Sequence, residues 1–90
     1  MIADFWQGWS VSRKTFDEEL GRILAGHRRS LDMSQEFFSS CLGRDQTYVS
    51  KVETGKRAIT LQEFLRWCDA LNLDDAAVME LSAKMKSHVE

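Results

Sequence analysis

The sequence predicts an all-α fold, in which one compact domain of five helices follows a short aromatic N-terminal extension. Two observations predict it. The chain has 90 residues and no proline, so none of its helical stretches is interrupted by the residue that breaks helices most strongly. Apolar residues also recur at steps of three and four positions, which is the spacing of one buried helical face. A chain of this length builds one core, and we treat residues 1–90 as a single domain.

The N-terminal extension, residues 1–12, is rich in aromatic side chains. It contains Phe5, Trp6 and Trp9, and the spacing of Asp4 and Gln7 suits a cap on one or two helical turns. Three exposed aromatic side chains would favour aggregation, so we expect them to be covered. Two alternatives remain open: they cover the domain's own core, or they cover a partner subunit.

The first long helix is expected to begin at Thr15, because Thr15 and Glu18 have the spacing of a capping box. It should end near Arg29 or Ser30. Its buried face is formed by apolar residues at helical steps: Phe16, Leu20, Ile23, Leu24 and, beyond the end, Leu31. Gly21 and Gly26 each weaken a helix by roughly 1 kcal/mol relative to Ala, and they would permit a close approach by another helix.

Two short helices follow, separated by a tight junction. Ser34 can cap a helix over residues 35–42, Gly43 suits the position after its end, and Asp45 can cap a second helix over residues 46–54. Three side chains of the first short helix are expected to face inward: Phe38, Cys41 and Leu42. Helices joined so tightly must cross at a steep angle, as in a helix-turn-helix.

The helix over residues 46–54 has a narrow apolar edge and a wide polar face. Val49 and Val52 fall on one side, flanked by Tyr48 and Glu53. The opposite face carries amide, hydroxyl and ammonium groups: Gln46, Thr47, Ser50, Lys51 and Thr54. Such groups can read base edges in DNA, although residue types alone favour an ordinary solvated face.

Two more helices complete the domain. Thr60 and Glu63 form a second capping-box pattern, and Asn72 suits the position after a helix that ends near Leu71. We expect Leu61, Phe64, Leu65 and Cys68 on the inner face of that helix. The last helix starts at Asp74 or Asp75 and extends over residues 75–89, with one apolar face: Val78, Leu81, Met85 and Val89.

Composition and charge exclude several classes of protein. The formal net charge is −2, which argues mildly against a nucleic-acid partner, but residues 13–57 carry nine basic and seven acidic residues. Cys41 and Cys68 have no metal-ligand spacing and are expected to be buried free thiols, which fits a cytoplasmic location. No apolar run is long enough for a membrane span, and the N-terminus does not resemble a signal peptide.

The run SQEFFSSCLGRDQTYVSKVETGKR, within residues 16–73, resembles the XRE-like family of phage lambda repressor and Cro-type helix-turn-helix regulators. Ser34 and Gln35 open the first motif helix, and Gly43 holds the turn. Residues 49–56, VSKVETGK, are similar to the I-S-x-I-E-x-G-K end of the family's motif. The resemblance implies a compact five-helix, lambda-repressor-like DNA-binding domain.

The resemblance also implies roles for individual residues. Base-reading positions are matched by Gln46, Thr47, Ser50 and Lys51. Phosphate-contacting positions are matched by Gln35, Arg44, Tyr48, Thr54, Lys56 and Arg57. Tyr48 is large where many members have a small residue, and contact with a thymine methyl or with the protein alone also stays open. Arg28 and Glu53 match a pair that forms an internal salt bridge in several members. Phe37 and Asp45 depart from the pattern, because an apolar and an acidic side chain stand near the implied DNA surface.

We therefore expect a sequence-specific, double-stranded DNA-binding transcriptional regulator, which acts as a homodimer on a two-fold symmetric operator. One module with a few base contacts does not readily reach specific affinity, and two recognition helices about 34 Å apart would read successive major grooves. The last helix, with or without the N-terminal aromatics, would form the dimer contact. The alternative is a protein-interaction module of the same fold, such as an antitoxin or a bridging factor. We see no catalytic constellation, and we expect no enzyme activity, cofactor, small-molecule ligand or membrane partner.

Overall fold

The computed structural model describes the backbone of residues 2–89 and the side chains of residues 15–89. This part of the chain contains five helices and no strand: α1 Ile2–Ser30, α2 Gln35–Leu42, α3 Gln46–Glu53, α4 Leu61–Ala70 and α5 Asp75–Lys86. Helix α1 packs against α3 and α5, while α2 packs against α3 and α4. The predicted all-α class is confirmed. Across the described ranges, no helix combines the length and the apolar character required to cross a membrane.

Helix α1 is longer than the sequence analysis predicted. It runs without interruption from Ile2 to Ser30, so the predicted helix start at Thr15 is wrong. Each further residue in a helix adds a backbone hydrogen bond, whereas a new helix end leaves several groups unpaired. With no proline to force a break, the capping-box spacing at Thr15 lies inside the helix. The side chains of Phe5, Trp6 and Trp9 lie outside the described residues.

The predicted helix-turn-helix boundaries are confirmed by their caps. The Ser34 hydroxyl accepts a hydrogen bond from the Phe37 backbone N–H at 3.0 Å, and the Asp45 carboxylate accepts one from Tyr48 N–H at 2.9 Å. Gly43 has φ 68°, the left-handed conformation that only glycine adopts without a steric cost. These three residues set the angle at which α3 leaves α2.

Helices α4 and α5 also begin at the predicted caps, but α5 ends at Lys86, before the predicted end at residue 89, so Val89 lies beyond the helix and is exposed. Thr60 and Glu63 form a complete capping box, in which each side chain accepts a hydrogen bond from the other residue's backbone N–H. Asn72 has φ 58° after the end of α4, and the Asp74 carboxylate caps α5 through Ala77 N–H at 2.8 Å. The first turn of α4 thereby fixes the position of the Glu63 carboxylate.

The core is centred on Trp67, which is fully buried and packs its ring 5.0 Å from that of Phe38. Around it lie other buried side chains, from α1, α3, α5 and the residue that follows α4: Leu20, Leu24, Tyr48, Val49, Val52, Leu71, Leu81 and Met85. Part of the predicted inner face of α4 is wrong, because Leu61 and Leu65 are exposed. The α4 surface that packs inward contains Trp67 and Cys68, with Phe64 partly buried, so it is rotated by less than a quarter turn from the predicted face, toward Trp67 and away from Leu61 and Leu65.

Cys41 is exposed, contrary to the expectation that both thiols are buried. The inner face of α2 is formed by Phe38 and Ser39, with Leu42 partly buried against the core. At 100° per residue, Cys41 points roughly a quarter turn away from the middle of that face. Cys68 is buried as predicted, and both cysteines are free.

The crossing of α1 and α3 depends on Gly21. A Cβ atom at this position would lie 2.2 Å from the Val52 carbonyl oxygen and 2.7 Å from the Glu53 carbonyl oxygen. Because only glycine lacks that atom, the last turn of α3 can rest directly on the α1 backbone. The sequence analysis expected such a close contact at Gly21 or Gly26, and it occurs at Gly21.

Candidate nucleic-acid interface

The outer face of α3 presents the polar side chains that the sequence placed there. Gln46, Thr47 and Lys51 are exposed, and Ser50 is half-buried. On the opposite side, Val49 and Val52 are almost fully buried. A short helix anchored by two valines therefore directs amide, hydroxyl and ammonium groups away from the protein, as a helix that enters a major groove must do.

A buried ion pair fixes the end of α3 to α1. The Arg28 guanidinium donates to both carboxylate oxygens of Glu53, with Nε–Oε2 and Nη2–Oε1 distances of 2.6 and 3.0 Å. Arg28 also donates to the Met33 carbonyl oxygen at 2.6 Å. This is the internal pair that the resemblance implied, and every buried side-chain nitrogen and oxygen in the described part of the chain has a partner.

Gln35 connects this ion pair to the polar face of α3. Its side-chain nitrogen donates to Glu53 Oε1 at 2.8 Å, while its side-chain oxygen lies 3.5 Å from Gln46 Nε2. The second distance is at the limit of a hydrogen bond, so it orients Gln46 only weakly. Gln35 sits beside the N-terminus of α2, where free backbone N–H groups attract anions.

A second polar cluster lies at the other edge of α3. The Glu63 Oε2 atom accepts hydrogen bonds from Tyr48 Oη at 3.0 Å and Arg57 Nη1 at 3.0 Å, with Arg44 Nη1 at 3.4 Å. Both guanidinium groups lie over the Tyr48 ring, with their central carbons 3.9 Å (Arg44) and 4.8 Å (Arg57) from the ring centroid. The Tyr48 hydroxyl also accepts from Trp67 Nε1 at 3.0 Å, which connects the cluster to the core.

The surroundings of Glu63 keep its carboxylate ionised. The hydrogen bond from the Thr60 backbone N–H, with those from Tyr48 and Arg57, lowers the pKa of Glu63 to about 2. Burial, with the hydrogen bond to Glu63, raises the pKa of the Tyr48 phenol above its usual value. At neutral pH the cluster therefore contains two guanidinium cations and one carboxylate.

Two shallow polar grooves flank α3. One is lined by residues of α2, α3 and the following turn, among them Gln35, Lys51 and Lys56. The other is lined by Arg44, Asp45, Tyr48, Lys51 and Arg57, along with Thr47. Neither Lys51 nor Lys56 forms an ion pair with any residue that the structure describes. Lysine side chains without carboxylate partners are available to contact an anionic backbone.

Two predicted phosphate contacts fit this placement poorly. Tyr48 is 7% exposed and its hydroxyl is occupied by Trp67 and Glu63, so it offers no free hydroxyl to a phosphate. The Thr54 hydroxyl, directly after the end of α3, donates to the Ser50 carbonyl oxygen of that helix at 2.9 Å. The alternative in which Tyr48 contacts only the protein agrees best with the structure.

The sequence analysis missed Trp67 and the second role of Glu63. Trp67 stands between residues that were assigned to an inner face, and its indole N–H holds Tyr48 in place. Glu63 was assigned only to the cap of α4. Its partners Arg44 and Arg57 lie 19 and 6 residues away along the chain, beyond the reach of a local spacing rule.

Comparisons with known proteins agree with this architecture. The model of a protein family described as a helix-turn-helix domain matches residues 19–81. The crystal structure of the restriction-modification controller protein C.AhdI from Aeromonas hydrophila is similar, with a TM-score of 0.65 and 30% sequence identity. The match covers 68% of this chain and 88% of that one. No curated protein sequence matches this chain.

Proposed function

Since this chain belongs to the helix-turn-helix domain family and is an XRE-like DNA-binding regulator, we propose that it reads a specific double-stranded sequence as a homodimer, with α3 in the major groove. The observation that carries the proposal is the exposed polar face of α3 opposite Val49 and Val52. Gln46 suits a bidentate contact with adenine, and Lys51 suits the acceptor atoms of guanine. Thr47 and Ser50 would complete the base-reading set.

Phosphate contacts would come from both edges of α3. On one side we propose Gln35 and Lys56, which line the same groove as Thr54. On the other side we propose Arg44 and Arg57, which are held over Tyr48. Contacts of this kind fix the register of the protein on the duplex but carry no sequence information. The Thr54 hydroxyl would have to leave its helix carbonyl to take part.

The homodimer would be formed on the side of the domain where residues of α1, α4 and α5 line a common groove. An open apolar groove there is lined by Phe16, Leu61, Phe64, Met85 and Val89. Leu61 and Val89 are 74% and 61% exposed, so a second copy that covered them would remove apolar surface from water. We keep the prediction that the segment 75–89 supplies the dimer contact, beside a DNA-reading core over residues 16–73. We propose that it does so only through the residues that line the groove, such as Met85 and Val89, and we add Leu61 of α4.

The biological setting is suggested by the controller protein C.AhdI. By analogy, this chain would regulate the genes of a restriction-modification system, and a cytoplasmic location follows from a chromosomal or plasmid target. A phage repressor or an antitoxin of the same format would be a different setting. The identity of the adjacent genes distinguishes these three settings.

The decisive experiment is selection of bound duplexes from a random pool, followed by measurement of stoichiometry on the enriched duplex. We expect a two-fold symmetric consensus bound by two chains. Failure to enrich any sequence at low salt would contradict the proposal. If the selection enriches a single asymmetric half-site that is bound by one chain, the sequence-specific binding is supported but the homodimer is rejected.

Single variants then assign roles. Q46A and K51A are each expected to cost about 1–3 kcal/mol on the selected duplex and to relax preference at one base pair. K56A is expected to weaken binding to all sequences and to lower the salt slope by about one unit. K84A is the matched control, because Lys84 lies on α5 and lines neither polar groove. Equal losses for K84A and K51A would contradict the assignment.

A protein-interaction module is the second candidate, and one observation favours it. Phe37 is 57% exposed on α2, in a place where the family's pattern has a polar residue. An antitoxin or bridging factor would use such a side chain against its partner. F37S should then abolish partner association, while Q46A and K51A should leave the protein's activity unchanged.

A further inference from the structure

We propose that the Glu63 carboxylate occupies the place that a DNA phosphate would take between Arg44 and Arg57, so that it acts as an internal competitor that lowers affinity for DNA. The inference rests on the proposed function, because it concerns one of the proposed phosphate sites. Neither the family match nor the similarity to C.AhdI assigns a role to Glu63.

The geometry is that of an occupied anion site. The two guanidinium groups come from different places, Arg44 from the turn between α2 and α3 and Arg57 from the loop after α3. They nevertheless converge on one atom, Glu63 Oε2, at 3.4 and 3.0 Å. Two arginines directed at one anionic oxygen form the arrangement that binds phosphate oxygens in protein–DNA interfaces.

Tyr48 keeps this arrangement in place. Its ring lies beneath both guanidinium groups, and its hydroxyl is held by Trp67 and Glu63. A buried aromatic platform restricts the two long arginine side chains, so less conformational entropy is lost when an anion binds. The site is thus prepared for an anion before DNA arrives.

The occupant can be displaced without unfolding the site. Glu63 Oε1 accepts from the Thr60 backbone N–H at 2.9 Å, and this bond maintains the α4 cap independently of Oε2. The contact to Arg44 is long, and the Arg44 and Arg57 side chains are 41% and 38% exposed. A phosphate can therefore approach the outer side of the pair while Glu63 stays attached to the helix end.

Net charge gives the direction of the effect. With Glu63 ionised, the cluster contributes a charge of +1 to the DNA-facing surface, and without that carboxylate it contributes +2. Each additional neutralised phosphate adds about one unit to the slope of log K against log salt. E63Q keeps the capping box, since glutamine serves at this position, but it removes the charge that holds the arginines.

The test measures binding to a 20-base-pair duplex of mixed sequence, because a phosphate site needs no operator. At about 0.1 M salt, E63Q is expected to bind roughly five- to tenfold more tightly than wild type, with a salt slope steeper by about one unit. E80Q removes the same charge from α5 and controls for net charge alone. E63S removes the charge together with half of the capping box, so similar gains for E63Q and E63S would show that the gain follows the charge, whereas a gain confined to E63S would overturn the inference.

A double-mutant cycle shows whether Glu63 acts through the arginines. In an R44A/R57A background, E63Q should gain no more than E80Q does. A gain that persists without the arginines, or equal gains for E63Q and E80Q in the wild-type background, would overturn the inference.

A second measurement separates this inference from the proposed function. If the wild-type protein binds no duplex even at low salt, the proposed function fails, and the anion site is tested with sulfate alone. We expect the side-chain Nε–Hε signals of Arg44 and Arg57 to shift saturably at lower sulfate concentration in E63Q than in wild type. Identical titrations of the two proteins would reject the internal competitor.

Discussion

Arg28 of α1 and Glu53 of α3 form a side-on ion pair beneath the polar face of α3, with two nitrogen–oxygen distances of 2.6 and 3.0 Å. Both side chains are almost fully removed from solvent. Gln35 and the Met33 carbonyl oxygen satisfy the remaining hydrogen-bonding groups. The pair therefore determines where the end of α3 sits relative to α1, and loss of one partner alone would leave a buried charge.

Removal of one partner of this pair should be strongly destabilising. R28M leaves Glu53 buried without a counter-charge, and we expect the free energy of unfolding to fall by about 3–5 kcal/mol. The double variant R28M/E53M should recover much of that loss, because neither charge remains. Urea unfolding measures both values. E19Q breaks the exposed Arg22–Glu19 pair and is the control, which should leave the urea midpoint nearly unchanged. A similar small effect for R28M would contradict the role of the buried pair.

Gly21 and Gly26 of α1 should respond in opposite directions to alanine. In G21A the new methyl group would meet the Val52 and Glu53 carbonyl oxygens, and separation of α1 from α3 should cost about 1–3 kcal/mol. In G26A nothing lies within 4 Å of the new methyl group, so the higher helix propensity of alanine should add up to about 1 kcal/mol. Thermal unfolding compares the two. Equal changes would show that the α1–α3 contact is looser than the structure indicates.

The ionisation of Glu63 should make stability depend on acid pH. Its pKa is about 2 in the folded protein and near 4.5 when the chain is unfolded, so the carboxylate stabilises the fold above pH 4.5. That contribution should be lost as the pH falls from 4.5 toward 2. We expect the difference in unfolding free energy between wild type and E63Q to shrink across this range. A constant difference from pH 6 to pH 3 would contradict the shifted pKa.

Charged substitutions in the apolar groove should dissociate the proposed dimer. L61E and V89E place a carboxylate on side chains that line the groove, and we expect both proteins to be monomers in analytical ultracentrifugation. Met79 is 71% exposed on the same α5 but does not line the groove, so M79E is the matched control. If L61E and V89E remain dimers while M79E is a monomer, the dimer contact lies on another face of α5.

The two thiols should differ in reactivity. Cys41 is exposed, whereas Cys68 is buried and its burial raises the thiol pKa. In the folded protein we expect a thiol reagent such as Ellman's to modify one cysteine quickly and the other only on unfolding. C41S should abolish the fast reaction. Two fast thiols would show that the α4 packing around Cys68 opens readily.

The sequence predicted best where structure is determined locally. Ser34, Gly43 and Asp45 act on the backbone within three residues of themselves, and they placed α2 and the start of α3 correctly. The buried face of α4 was harder to predict, because apolar residues lie around most of its circumference. Periodicity alone did not show that Trp67 is buried and Leu65 exposed. The roles assigned to α3 residues in DNA binding stay predictions.

The part of the candidate site that escaped prediction depends on distant residues. Glu63 was recognised as a helix cap because its partner Thr60 is three positions away. Its contacts with Arg44 and Tyr48 span 19 and 15 positions and exist only because α4 packs beside α3. The same holds for Tyr48, whose burial is set by Trp67. Spacing rules report neighbours along the chain, whereas this cluster is formed by neighbours in space.

If α3 reads DNA as proposed, its length limits the number of base pairs that one copy of the chain can distinguish. Its eight residues form a rod about 12 Å long, which matches the rise of roughly three or four base pairs. A given four-base-pair sequence occurs by chance about once in a few hundred base pairs. A bacterial chromosome therefore contains thousands of chance matches to it. In the proposed homodimer, two such helices would read about eight base pairs, which would reduce the number of chance matches by a further factor of a few hundred.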